Sequence, residues 1–306
     1  MLESKGKQKP KVVVILGPTA SGKTELSLDL AEHFGGEIIS ADSRQVYKGL
    51  DIGTSKITSE QAKRVPHYLI DIATPDNQIY LPQYQTLAFE YINKILKRGK
   101  LPFIVGGTGL YLSSIVENYQ IPNVAPQPKL RSELNKLSAN DLVLRLKEVD
   151  PEAAELIYQQ NKVKLIRAIE FSETSGKSFF GSQKKGQPKH NYLILGVEVE
   201  REELYQRINA RTESMLEMGL EQEVRQLVDT YGWDAPALMS IGYREWRAYF
   251  EKRKTKEEII EEIKKDSRNY AKRQMTWYWR MEKFDKINWV TDSQEAYEAI
   301  NYFLKS

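Results

Sequence analysis

Apolar positions along the chain follow patterns that change character along its length. "KVVVIL" is an unbroken, mostly β-branched run, which predicts a strand buried on both faces of a parallel sheet. "KTELSLDLAEHF" places Leu26, Leu30 and Phe34 four residues apart, an amphipathic helix closed by Gly35 and Gly36. "EIISADS", "YLIDI" and "LPFIVGG" read as further strands, and "PQYQTLAFEYINKILKRGK" as a helix between them. Strands alternating with helices over the first 115 residues imply right-handed βαβ units around a parallel sheet. "QIPNVAPQP" then sets three prolines in nine residues, a boundary signal. Helical patterns follow to about residue 190, with a basic loop, "KSFFGSQKKGQPKH", near their end. "NYLILGVEV" returns to a buried strand. The rest reads as helix ("REELYQRINARTESMLEMG", "LEQEVRQLVDTYG", "REWRAYFEKR", a long one from Thr255 to about Met281) before a last strand, "INWV". The expected division is a core at 1–118, a helical insertion at 119–190, and the core resumed at 191–306.

Composition narrows the chemistry. A chain of 306 residues with 41% hydrophobic and 28% charged residues can bury one large core or two smaller ones. A net charge of +3 is too small to indicate a nucleic-acid partner, so any basic signal must be local. The absence of cysteine excludes a thiolate nucleophile and a cysteine-held zinc, and three scattered histidines (His33, His67, His190) make no metal cage. No apolar run approaches the roughly 18 residues that span a bilayer, and the charged start "MLESKGKQKPK" lacks a secretory apolar region. A cytoplasmic protein without membrane association is expected.

Residues 17–24, "GPTASGKT", lie between the first strand and the first helix. That context is what a P-loop requires: a glycine-rich turn whose N–H groups converge on an anion at a helix N-terminus. The core is therefore expected to be α/β and P-loop NTPase-like. Gly17, Pro18, Thr19, Ala20, Ser21, Gly22, Lys23 and Thr24 are the expected phosphate-binding residues. Lys23 reaches the terminal phosphates, and the Thr24 hydroxyl is the expected Mg²⁺ ligand. The motif does not name the reaction. No Asn-Lys-x-Asp element for guanine is present, and "PFIVGGTG" ends in glycines where an ATPase usually carries an acid, although Asp71 in "YLIDI" is an alternative. A group-transfer enzyme is expected over a GTPase or motor.

Asp42 falls at the end of the second predicted strand, where open α/β sheets bind ligands. There it serves either as a base for an acceptor or as the cap of the next turn. Ser43, Gln45 and Tyr47 follow it within reach of the same crevice. "GPTASGKT", "ADSRQVYKGLDIGTSK", "PHYLID", "FIVGGTGLY", "RAIE" with "SGK", "MGLEQEV", "IGYRE" and "YAKRQMTWYWR" occur in one order over nearly the whole chain. Together they closely resemble the bacterial tRNA dimethylallyltransferases, or isopentenylpyrophosphate transferases. The resemblance implies transfer of a dimethylallyl group from its diphosphate to the exocyclic amine of adenosine 37, beside the anticodon, with diphosphate leaving and Mg²⁺ as cofactor.

It further implies that Thr19 to Thr24 contact dimethylallyl diphosphate, and that Lys23, Thr24 and Asp42 are catalytic, Asp42 meeting the adenine amine. Contacts to the tRNA anticodon stem-loop are implied for Asp42, Ser43, Arg44, Gln45, Thr108 and Arg131. The same holds for Val163, Lys164, Leu165, Ile166 and Arg167, for Arg225, and for Gly242, Tyr243 and Arg244. Residues 264–283 carry seven Lys/Arg against two acids with aromatics interleaved. Lys272, Arg273 and Trp277 are the expected RNA contacts there, with some tryptophans in the core. "RINAR" sets Arg207 and Arg211 one turn apart, a candidate phosphate clamp. A monomer is the expected acting unit. The competing readings are a small-molecule kinase using ATP and an RNA-binding nucleotide switch; the first gives the basic helix no purpose, the second gives Asp42 none.

Overall fold

The computed structural model describes residues 9–121, 124, 127–181, 184–282 and 286–306. Parts of the N-terminal segment, the proline-rich boundary and the basic loop, together with Lys283, lie outside the described residues. The strands are β1 (Lys11–Leu16), β2 (Glu37–Ser40), β3 (His67–Tyr68), β4 (Pro102–Gly106), β5 (Tyr119–Gln120), β6 (Lys184–Lys185), β7 (Asn191–Val197) and β8 (Ile287–Val290). Six of them form one parallel sheet in the order β3-β2-β4-β1-β7-β8. The fold is thus α/β with a P-loop-like parallel core flanked by helices.

The sheet forms because β1 is apolar in both directions. Val12, Val14 and Leu16 enter one core with Ile92, Leu112 and Tyr278. Val13 and Ile15 enter the opposite one with Leu28 and Ile300. The helix Lys23–His33 starts at Gly22, held at φ 88, and is closed by Gly35 at φ 59. Its buried face is rotated from the expected leucine stripe: Ser27, Leu28, Leu30 and Ala31 are buried while Leu26 and Phe34 are half-buried. Small residues at the centre of that face let the helix lie close to the sheet. "YLIDI" forms only a short strand, because Leu69 and Asp71 turn into the left-handed region at φ 63 and 56. "REWRAYFEKR" is helical only over Trp246–Phe250.

The chain separates into two compact units, Met1–Val116 with Pro188–Ser306, and Glu117–Gln187. The cuts fall at 116/117 and 187/188, against the expected 118/119 and 190/191. The second unit packs the helices Pro128–Asn135, Ala139–Val149, Pro151–Leu156 and Lys162–Ser175 around Leu134, Leu146, Leu165 and Ile169. β5 and β6 pair antiparallel within it.

In the first unit, the helices Arg201–Glu217, Leu220–Tyr231 and Lys256–Glu282 share a core built on Trp246 and Tyr243. Glu223 ties that core to the segment after β2. Its carboxylate accepts the N–H groups of Asp51, Ile52 and Gly53 at 3.0, 2.7 and 3.1 Å and the Tyr243 hydroxyl at 2.6 Å. Charge-assisted bonds of this kind are the stronger class, and their donors are left without a partner when the carboxylate is removed. Glu223→Ala is expected to lower unfolding stability by about 2–4 kcal/mol, measured by urea denaturation. A change within error of zero would show that water replaces the carboxylate.

Candidate active site

Strand order decides what meets at the carboxyl edge of the sheet. β4 pairs with β1 on one side and β2 on the other. Adjacent strands lie about 4.8 Å apart, so the P-loop after β1, Gly107 and Thr108 after β4, and Asp42 after β2 are near neighbours. The P-loop carries Ala20 at φ 63, a conformation uncommon outside glycine. Lys23 donates to the Pro18 carbonyl at 2.6 Å, closing the loop on itself. Thr24 is exposed at the helix start.

Arg211 of "RINAR" joins this site. Its guanidinium donates to the Thr54 carbonyl at 3.3 Å and lines one cavity with Thr19, Lys23, Thr24 and Asp42. Desolvation, then the nearby Arg211 charge, push the Lys23 ammonium down to about 7, with Asp42 pulling the other way. Desolvation likewise lowers Arg211 against the opposing pull of Asp42. Two cations held together out of water form a site that is completed by an anion. Arg207 lies beside Gly22 of the P-loop and bonds Glu203 at 2.5 Å.

Asp42 caps its own turn and also faces open space at the sheet edge. One carboxylate oxygen accepts the N–H groups of Arg44 at 2.8 Å and Gln45 at 3.4 Å, capping the turn. The residue also lines two cavities, of about 120 and 300 Å³, which share Thr19, Asp42, Thr54, Arg211 and Tyr270. Lys23 faces the smaller; Arg44, Arg244 and Arg273 face the larger. The Thr108 hydroxyl accepts the Ser43 N–H at 2.9 Å, so it holds the Asp42 turn from the β4 side. The Tyr270 phenol is pushed up to about 12 by desolvation and by Asp42, its hydrogen bond with Thr108 opposing. Gln45 is engaged in the scaffold, accepting from Ser40 and donating toward the Thr54 and Ser55 carbonyls. Tyr47 belongs to the core, not the crevice.

The helix Lys256–Glu282 presents two different faces. Inward, Gln274 accepts the Thr19 N–H and donates to the Gly107 carbonyl, each at 2.9 Å. Tyr278 donates its hydroxyl toward the Gly17 and Gly107 carbonyls, each at 3.0 Å. Trp277 packs on Gly109 and bonds the Ser113 hydroxyl at 3.0 Å, so it is half-buried support and not an open stacking platform. Glycine is required beneath this face, since a Cβ at position 107 or 109 would lie 2.2 or 2.3 Å from Gln274 or Trp277. Outward, Lys272, Arg273, Trp279 and Arg280 are exposed.

Several of the expected RNA contacts have their side chains or backbone engaged within the fold. Tyr243 is fully buried and bonded to Glu223, and Gly242 is buried with its N–H on Glu245. Leu165 and Ile166 are core residues of the second unit. Arg244, paired with Glu245 and Asp266, and Arg225, paired with Glu221, remain exposed. In the second unit Val163 and Lys164 are exposed, and the fully buried Glu170 carboxylate holds both Arg131, at 2.7 Å, and Arg167, at 2.5 Å. Asp71, weighed as a metal-site acid, is paired with Lys56. No group of three or more His, Cys, Asp or Glu able to hold a metal occurs among the described residues. No helix among them is long and apolar enough to cross a membrane. The sequence singles out neither Gln274, Thr54 nor Glu223, although Gln274 stands inside "YAKRQMTWYWR"; Tyr278 is one of the aromatics interleaved in that basic run, and its place is against the P-loop.

Comparison with known proteins gives one family. The sequence pattern described as IPP transferase matches residues 45–281, beginning just after Asp42. The tRNA dimethylallyltransferase of Anoxybacillus flavithermus is 45% identical over 88% of this chain and 87% of its own. The crystal structure of the full-length tRNA isopentenylpyrophosphate transferase from Bacillus halodurans superposes with a TM-score of 0.71 at 38% identity, covering 97% of this chain and 96% of that one. A eukaryotic dimethylallyltransferase acting on tRNA superposes with a TM-score of 0.83 at 28% identity, covering 97% of this chain and 80% of that one.

The lowered Lys23 gives the site a pH signature. An anion between Lys23 and Arg211 favours the ammonium form, so above pH of about 7 binding must draw a proton onto Lys23. Calorimetry with a diphosphate at pH 8, in buffers of different ionisation heat, is expected to show uptake of about one proton beyond that of Lys23→Arg, whose guanidinium stays charged. Equal uptake in both proteins would remove Lys23 as the titrating group.

Proposed function

The chain belongs to the IPP transferase family, and from that membership we propose how its cavity performs dimethylallyl transfer to tRNA. The protein is a prenyltransferase acting on tRNA; dimethylallyl diphosphate is the donor and the exocyclic N6 of adenosine 37, 3′ of the anticodon, is the acceptor. The observation that carries this reading is the meeting of Lys23, Arg211 and Asp42 on one cavity. Two cations suit a leaving diphosphate, and a carboxylate beside them suits an amine that must lose a proton.

The N–H groups of the first turn of Lys23–His33 have no intrahelical acceptor and, with Lys23 and Arg211, receive the diphosphate. The bond between carbon 1 of the donor and the bridging oxygen breaks, and its electron pair leaves with diphosphate. The lone pair of N6 forms the new bond to carbon 1, and the amine proton passes to Asp42. Negative charge grows on the diphosphate as this happens, so donors already aimed at it favour the transition state. No phosphoryl group moves.

Mg²⁺ fits as an ion carried largely by the substrate. The described residues offer no acidic cage, but Thr24 lines the same cavity as Lys23, and Mg²⁺ commonly uses one or two protein oxygens with phosphate oxygens and water. Bound there by the Thr24 hydroxyl and the diphosphate, it would supply further neutralisation of the leaving group.

The larger cavity receives the target base. A base enters it only when flipped from the loop, at a cost of a few kcal/mol, offset by phosphate contacts. Arg44, Arg244, Lys272 and Arg273 in the first unit, and Arg131, Lys164 and Arg167 in the second, are the proposed phosphate contacts; Arg225 is a further one. Asp42, Ser43, Gln45 and Thr108 shape the acceptor side, and a cytoplasmic monomer is the proposed acting form. A kinase reading finds no support among relatives named for tRNA prenyl transfer.

Incubation with radiolabelled dimethylallyl diphosphate, Mg²⁺ and unmodified tRNA is expected to label the adenosine beside the anticodon, with label lost in Lys23→Ala. Unlabelled RNA, with label passing from γ-labelled ATP to a small acceptor, would return the case to the kinase. Asp42→Asn keeps a polar group of the same shape but loses the base. Its single-turnover rate is expected to fall by about 10²–10⁴-fold; a near-normal rate would leave Asp42 only the task of orienting the amine.

A further inference from the structure

The side chain of Gln274 joins the loops that hold the two reaction partners. It is 5% exposed and both ends of its amide are used: the oxygen accepts Thr19 N–H and the nitrogen donates to Gly107 carbonyl, each at 2.9 Å. Thr19 belongs to the loop that ends in Lys23. Gly107 precedes Thr108, whose hydroxyl holds the N–H of Ser43, next to Asp42. One amide therefore bridges the donor loop and the acceptor loop. Its orientation is dictated by its partners, an N–H on one side and a C=O on the other.

The contact also uses a P-loop N–H that would otherwise be free to face the anion. Giving that donor to a side chain of a helix more than 250 residues away favours fixed loop geometry over one more phosphate contact. Nothing shorter than glutamine spans both loops from this helix, and Gly107 has no room for a Cβ, which would lie 2.2 Å from the Gln274 nitrogen. Tyr278 bonds the Gly17 and Gly107 carbonyls one turn further along, so the helix backbone is already anchored when Gln274 is changed.

We propose that Gln274 is a positioning residue for the transfer: it sets the spacing between the diphosphate-holding loop and the loop that supports Asp42. This rests on the transferase reading above. Displacement of reacting groups by about 1 Å costs on the order of 10²-fold in rate, whereas binding of each substrate alone does not depend on that spacing.

The test is Gln274→Met, which keeps length and removes both hydrogen bonds. Its melting temperature and circular dichroism establish the folded fraction, equilibrium dialysis gives the Kd for dimethylallyl diphosphate, and filter binding gives that for tRNA. The expected result is a single-turnover rate down by about tenfold to a hundredfold, with both Kd values within about threefold of wild type. Gln274→Asn, one methylene too short to reach both loops, shows the same split and serves if the methionine variant does not fold. A folded variant with a near-normal rate, or a rate loss accounted for by weaker substrate binding, overturns the proposal while leaving the transferase reading intact. A wild type that carries no label into tRNA overturns both.

Discussion

The carboxyl edge of the sheet depends on how two buried carbonyls find donors. Gly17 and Gly107 lie just past the ends of β1 and β4, where the ladder that pairs those strands has stopped. A buried carbonyl without a donor costs roughly 1–3 kcal/mol. Tyr278 and Gln274 supply the donors from a helix that is nearly the last element of the chain. That helix can approach so closely because positions 107 and 109 have no side chains. The glycines of "GGTG" are thus as much a docking surface for a helix as a turn, and the P-loop is held from above as well as by its own strand and helix.

Within the edge so fixed, charge decides the chemistry. Lys23 and Arg211 face the cavity without an acidic partner bonded to either, and each is pulled below its ordinary value by desolvation. Asp42 moderates both and spends one oxygen on its own turn. Asp71, the acid that a hydrolytic P-loop enzyme would have offered, is bound to Lys56. An arrangement with strong anion stabilisation, and with its carboxylate where the two cavities meet, suits departure of diphosphate from carbon better than attack on phosphorus.

What could be read in the sequence is what is local. The strand, P-loop and helix of residues 11–33 are contiguous, and their signals reinforce one another. Asp42 was legible because a strand end in a parallel sheet is a ligand position whatever follows. The partners that complete the site are separated by long stretches of chain: Arg211 from Thr54, Glu223 from Gly53, Gln274 from Thr19. Arg211 showed itself only as half of the "RINAR" pair; Glu223 and Gln274 are single polar residues on mixed helix faces, which leave no periodic trace. The same limit applies to the expected RNA contacts. Tyr243, Leu165 and Ile166 sit in segments that resemble RNA-contacting motifs, yet their side chains fill cores, while Val163, Lys164 and Arg244 reach the surface.

The long helix makes geometry that a loop could not. Lys272 and Arg273 are exposed immediately beside Gln274, which is locked to the P-loop, and helical residues keep their relative positions. With RNA phosphates on those two basic residues, the separation between backbone anchor and diphosphate is set by a rigid element that touches both. A flexible basic loop would supply the same charge but would have to be ordered each time, at about 1–2 kcal/mol per residue fixed. On the proposed reading, placing the charges on the helix that also braces Thr19 and Gly107 removes that cost from RNA binding, and divides the helix between an inner face that positions the reaction and an outer face that holds RNA.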